Sequence, residues 1–190
     1  MSFYNKVVII TGAGSGIGAA TAIAFPKQAA KITIIDINEQ DLNKTAEVCK
    51  TNNKDVLKIV ADLTRDEDIK RIVDDTVAKY GKLDILINCA GIFTIASIET
   101  IELADKGVRV NSISPGPVKT NIYQYSGLSE KEINVLKDIS VDCTPLGAVI
   151  EPEEIAEVVL FLSSEKAKSI TGSDYLIDGG MLLKGLVSLR

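Results

Sequence analysis

The chain has 190 residues, 46% of them hydrophobic, a formal net charge of −5 and no histidine. That length predicts one domain, 1–190, hiding roughly 70% of its unfolded surface. The lack of histidine excludes Ser-His-Asp, Cys-His and histidine-ligated metal chemistry, and an acidic balance with no basic block argues against nucleic acid or an anionic membrane as partner. No apolar run is long enough to span a membrane. The opening MSFYNKVVII is too short and wrongly flanked for a signal peptide and reads as a first strand. Cys49, Cys89 and Cys143 are odd in number and scattered. They suit neither a zinc site nor a disulfide framework and point to a reducing, cytoplasmic setting.

In chain order, Lys6 to Thr11 is a continuous apolar run, as expected of a strand buried on both faces. A glycine-rich turn follows, then a helical pattern over Gly16 to Ala29. Pro26 falls inside that pattern and should kink or shorten the helix. Strands are predicted at Lys31–Asp36, Asp55–Ala61, Leu83–Asn88, Gly107–Ile113 and Ser173–Ile177. Helices are predicted from Glu39 to Thr51, from a Thr64/Glu67 capping box to about Tyr80, and after a Ser129/Glu132 capping box. Pro152 suits the first position of a helix that carries an apolar stripe to Leu162. Strands alternating with helices predict an α/β fold with a doubly wound parallel sheet.

The turn at Thr11–Gly18 reads TGAGSGIG, a G-x-x-x-G-x-G spacing with isoleucine at 17. Glycines at 12, 16 and 18 permit a tight turn and close approach to a pyrophosphate, at a helix N-terminus that offers free N–H groups. A plain tight turn is the alternative. Asp36 ends the second strand, where a carboxylate accepts hydrogen bonds from a ribose 2′-OH and repels a 2′-phosphate. No Arg or Lys occupies 37 or 38, which favours NAD over NADP. An ordinary solvated aspartate is the alternative here, and also at Asp62, where the carboxylate of Asp62-Leu63 could hold an adenine amino group. Asn88-Cys89-Ala90-Gly91 closes the fourth strand with small residues, at the sheet edge where such folds bind ligands.

These motifs together resemble the short-chain dehydrogenase/reductase family: TGAGSGIG, Asp36, Asp62-Leu63, NCAG at 88–91, PGPVKT at 115–120, PEEIAEVVLFLSS at 152–164 and TGSDYLIDGG at 171–180. NCAG departs mildly from the family's usual NNAG. The resemblance covers nearly the whole chain. It implies a Rossmann-type subunit, a nicotinamide cofactor, hydride exchange with an alcohol or ketone, and usually a tetramer. It also implies cofactor contacts from Gly12, Ser15, Gly16, Ile17, Gly18, Asp36, Asp62, Leu63, Asn88, Ala90, Gly91, Pro115, Gly116, Val118 and Thr120.

The family's catalysis rests on Asn, Ser, Tyr and Lys, with the Lys four residues after the Tyr. Four residues after Tyr4, Tyr80, Tyr123, Tyr125 and Tyr175 stand Val8, Asp84, Gly127, Ser129 and Gly179. No catalytic residue can be carried over. Up to about Thr100 the chain resembles the family's exit from the fourth strand; from Ile101 it resembles the end of the helix that bears Tyr and Lys. The resemblance therefore implies a seam near Thr100, with on the order of 60 residues absent, about two units of roughly 30. A helix, the fifth strand with its Ser and most of the catalytic helix go with them.

Rejoining there leaves one helix-like segment, Ile95 to Asp105, with Ile95, Ile98, Ile101 and Ala104 as a candidate inner stripe. Either the strands on its two sides pair directly, or the sheet keeps a gap or the product is unstable. Because the missing helices usually build the family's main subunit interface, homo-oligomerisation should be weakened. Three functions remain open: an oxidoreductase by descent, a catalytically inactive dinucleotide-binding module, and a truncated isoform. The substrate is left undetermined; Tyr123 and Tyr125 in the loop after PGPVKT are as consistent with surface as with a pocket.

Overall fold

A computed structural model describes residues 2–52, 56–91, 101–125 and 128–183. Its first half is a parallel sheet of β1 (Val7–Thr11), β2 (Lys31–Asp36), β3 (Val56–Val60) and β4 (Ile85–Asn88), in the order β3-β2-β1-β4. Every residue of β1 is buried, as a central strand covered on both faces requires. β5 (Ser112–Pro115) and β6 (Asp174–Ile177) form a separate parallel pair.

The helices are α1 (Gly16–Ala24), α2 (Glu39–Asn52), α3 (Asp66–Tyr80), α4 (Glu130–Cys143) and α5 (Pro152–Ser163). On one sheet face Val8, Ile10, Ile32 and Ile34 pack with Ala22 of α1, Leu42 of α2 and Ile155 of α5. On the other, Ile9, Ile35 and Ile59 pack with Ile72 of α3. The alternation of strand residues between two helix layers is the Rossmann-type arrangement read from the sequence. A buried pair of hydroxyls adds to the second contact: Thr33 and Thr76 meet at 3.0 Å, and Thr76 donates to the Ile72 carbonyl at 2.7 Å.

Several elements differ from expectation. Pro26 ends α1: the helix stops at Ala24, Phe25 donates to the Thr21 carbonyl, and Pro26–Gln28 form a separate 3₁₀ turn. Proline has no N–H to continue the ladder. The Thr64/Glu67 capping box is absent, because Thr64 turns back and gives both its N–H and hydroxyl to Asp62. The helix starts two residues later, and Asp68 receives the Asp62 amide at 3.0 Å. By contrast the Ser129/Glu132 box is fully formed, and Pro152 occupies the first turn of α5 as expected.

β5 begins at Ser112, not Gly107. Gly107 turns at φ +74, while Val110 N–H bonds the Thr171 hydroxyl and the Asn111 side chain bonds the Ile170 carbonyl. Side chains occupy partners that a longer ladder would need. Residues 92–100, including Ile95 and Ile98, lie outside the described residues. Of the expected helix, Ile101–Lys106 is 3₁₀, and Ala104 is exposed rather than turned inward.

Across the seam, β4 and β5 do not pair. Ile85 and Ile87 of β4, Ile113 of β5 and Ile177 of β6 nevertheless pack against the same core cluster. One helix layer thus backs both sheets. On the opposite face Leu86 and Leu176 are 53% and 52% exposed. Among the described residues, no strand lies between β4 and β5.

Candidate functional site

The carboxyl ends of β1, β2 and β4 meet at the turn between β1 and α1. Gly12 turns at φ +64, and a Cβ there would stand 2.7 Å from the Ala90 amide nitrogen. Gly18 is tighter still, since a Cβ would overlap the Gly12 carbonyl oxygen. These two glycines let α1 start directly over the end of β1. Thr11, buried at the strand end, accepts the amides of Cys89 at 3.2 Å and Ala90 at 3.1 Å. That clasp holds Asn88–Gly91 against the turn.

Asp36 stands at the end of β2 beside it. One carboxylate oxygen accepts Gly14 N–H at 2.8 Å, and the other accepts Asn38 N–H at 2.9 Å. Each oxygen retains a lone pair for a further donor. Asp62 lies next along the edge, past the bond from Ala61 N–H to the Asp36 carbonyl. The Thr64 amide and hydroxyl hold the Asp62 carboxyl below the usual carboxylate range. Leu63 packs into the α3-side core, so its side chain serves the fold.

The second half arrives through PGPVKT. Gly116 N–H bonds the Ile177 carbonyl, and a Cβ on Gly116 would strike Asp178. Val118 bridges to Ile150, and Lys119 pairs with Glu151 at 2.9 Å. This clasp delivers Thr120 to the phosphate turn, with its methyl 2.9 Å from where a Cβ of Gly16 would sit. Gly12–Gly18, Asp36, Ala90 and Thr120 are thereby brought together. Ser15 is exposed and Ile17 half-buried at the head of α1, while Pro115 is exposed and Val118 half-buried.

The electrostatics of α1 suit an anion. Its first turn holds no acidic residue, and the N-cap Ser15 makes no side-chain capping bond. The other four helices all carry acidic residues in the first turn. Among the described α-helices, α1 alone has no acidic residue in its own first turn, which leaves its N-terminal amides to an anion such as a pyrophosphate. Burial pushes the Cys89 thiol up to about 11, away from the thiolate form at neutral pH. The residues that sequence reasoning overlooked are Thr11 and the Lys119–Glu151 pair. Thr11 carries a signal, a lone polar residue ending an apolar strand; the pair spans too much sequence to be seen.

A family model described as short chain dehydrogenase matches residues 6–102. The chain belongs to the short-chain dehydrogenase/reductase family. A second model, described as Enoyl-(Acyl carrier protein) reductase, matches 99–182, so the two meet at the seam. The 3-oxoacyl-[acyl-carrier-protein] reductase FabG of Thermotoga maritima is 25% identical over 252 residues, covering 96% of this chain and all of that one. The aligned stretch is longer than the chain itself. Among solved structures, glucose dehydrogenase of Caenorhabditis elegans in the apo form is 30% identical, with a TM-score of 0.80 and coverage of 96% of this chain and 100% of that one. L-sorbose reductase of Gluconobacter frateurii, solved with NADPH and L-sorbose, shares the fold at TM-score 0.81 and 23% identity, over 96% of this chain and 98% of that one. The family binds nicotinamide dinucleotides, and this short-chain dehydrogenase/reductase is shorter than its relatives.

Proposed function

We propose that the chain is an NAD-binding short-chain dehydrogenase/reductase that has lost effective hydride transfer. The observation that carries the cofactor reading is Asp36, fixed by Gly14 and Asn38 with lone pairs to spare at the edge of the phosphate turn. In this reading the α1 amides hold the pyrophosphate, and Asp36 accepts a ribose hydroxyl and rejects a 2′-phosphate. Asp62 takes the adenine amino group. Asn88, Ala90 and Gly91 pass the cofactor across the end of β4, and Pro115, Gly116, Val118 and Thr120 close over its nicotinamide end. When bound, the nicotinamide ring supplies or accepts the hydride of an alcohol–ketone interconversion.

The sequence contains no Tyr-x-x-x-Lys to move the proton. A proton-transfer group is typically worth 10²–10⁴ in rate. The same Lys would have gripped the ribose, so weakened affinity is expected as well. The meeting of two family models at 99–102 favours an internally shortened chain, and the three free cysteines suit a reducing, cytoplasmic setting. The test is titration of the full chain with NADH and NADPH, followed by fluorescence, then turnover assays with small alcohols and ketones. Saturable NADH binding with negligible turnover supports the reading. Preference for NADPH, or ordinary turnover, refutes it.

A further inference from the structure

We propose that the outer flank of α3 is the contact between two copies of this chain, packed antiparallel about a two-fold axis at Val73. Bonds at the sheet edge set the orientation of α3. Arg71 donates to the Val60 carbonyl at 2.9 Å and Lys79 to the Val56 carbonyl at 3.4 Å, so one flank of the helix lies along β3. Ile72 and Thr76 point into the core, where both are buried. Residues four apart share a helix face, and Ile69, Val73 and Val77 therefore form one stripe on the remaining flank, away from β3. They are 45%, 41% and 41% exposed. A contiguous apolar stripe left in the open on a folded chain marks an interaction surface.

Charge selects the occupant. α3 opens with Asp66, Glu67 and Asp68 and closes with Lys79, with Lys82 just beyond. An antiparallel copy sets each acidic end beside the basic end of the other, with the helix dipoles opposed as well. A parallel copy sets acid beside acid. Lys70 and Asp74, paired at 2.6 Å, stand beside the stripe. A two-fold axis at Val73 brings Lys70 within reach of the partner's Asp74, and Ile69 against the partner's Val77. α4 also exposes Val135 and Ile139, each 50%, but it has Glu130 and Glu132 in its first turn and no base in its last. Antiparallel copies of α4 leave those acids unanswered, so α3 is the self-complementary face. One helix flank per copy falls short of the roughly 800 Å² per partner of a standard interface, so the dimer is weak, dissociating on the order of tens of micromolar.

The test is sedimentation of the full chain across a wide range of concentration. A reversible monomer–dimer equilibrium is expected, weakened roughly tenfold or more by Val73→Asp, which buries a charge at the axis. Lys70→Glu weakens it too, and adding Asp74→Lys to that variant restores it, because the pair across the axis is remade with its signs exchanged. Disulfide trapping reads the direction of packing. Ile69→Cys chains cross-link with Val77→Cys chains, and Val73→Cys chains with one another, while Ile69→Cys chains alone stay at the background of the unmodified chain. A monomer at every concentration overturns the proposal, whether the stripe is bare or covered by the chain's own residues. So does a dimer that survives both Val73→Asp and Lys70→Glu, which uses another face. So does Ile69→Cys cross-linking to itself as readily as to Val77→Cys, which means parallel packing.

Discussion

Asp36 and Gly14 are joined by a 2.8 Å hydrogen bond that ties the end of β2 to the phosphate turn. One carboxylate thus sets the shape of the turn while remaining available to a ligand. Two roles on one side chain make its substitution informative. Asp36→Asn keeps an acceptor for one of the two amides but loses the charge. Hydrogen bonds to charged groups are worth about 1.5–3 kcal/mol, so NADH binding should weaken by roughly 10- to 100-fold, and the preference over NADPH should narrow. Fluorescence titration with both cofactors checks this.

Gly18→Ala places a methyl on the Gly12 carbonyl oxygen. The turn cannot keep its path, and a loss of stability of about 3 kcal/mol or more is expected, together with cofactor binding. Gly81→Ala makes the control. Gly81 also has positive φ, +80, but open space around it, so the cost should be about 1 kcal/mol. Thermal or urea melts of the two variants separate steric need from backbone preference.

Burial raises the thiols of Cys49 and Cys89 from 9.0 to about 11. A thiolate is the reactive form, so both should react slowly with disulfide reagents at neutral pH and accelerate only toward pH 11. The linkage has a definite sign. The unfolded thiols ionise first, so the stability they contribute is fully present below pH 9 and is lost as pH rises toward 11. Urea melts across that window, compared with those of Cys49→Ala, should show a shallower decline in the variant.

Leu86 sits on β4, on the sheet face opposite α1 and α5. At 53% exposure it buries little, so Leu86→Ser should change stability by about 0.5 kcal/mol or less. Ile34, fully buried on β2, should cost about 2–5 kcal/mol as Ile34→Ala. A large loss at Leu86 would mean that β4 is covered in solution.

Much of the fold was legible in the residues. The apolar run of β1 marked a strand buried on both faces, because only a central parallel strand tolerates no polar side. TGAGSGIG and Asp36 could be placed at one sheet edge, because strand–turn–helix units put every such turn at the carboxyl ends. The Ser129/Glu132 cap was equally readable, its bonds being local.

Other features depended on contacts distant in sequence. Thr64 preferred the Asp62 carboxylate to capping a helix. β5 lost its first residues to side-chain bonds, the Thr171 hydroxyl taking the Val110 amide and the Asn111 side chain bonding the backbone of Ile170 and Ser173. Thr120 reached Gly16 only through the pairing of 117–119 with Ile150 and Glu151. The placing of β4 and β5 was likewise decided in three dimensions. Ile85, Ile87, Ile113 and Ile177 all pack against the layer that holds α1 and α5. Apolar contact with that layer, which only the tertiary structure assembles, holds both groups of strands to one core, and among the described residues β4 and β5 do not pair.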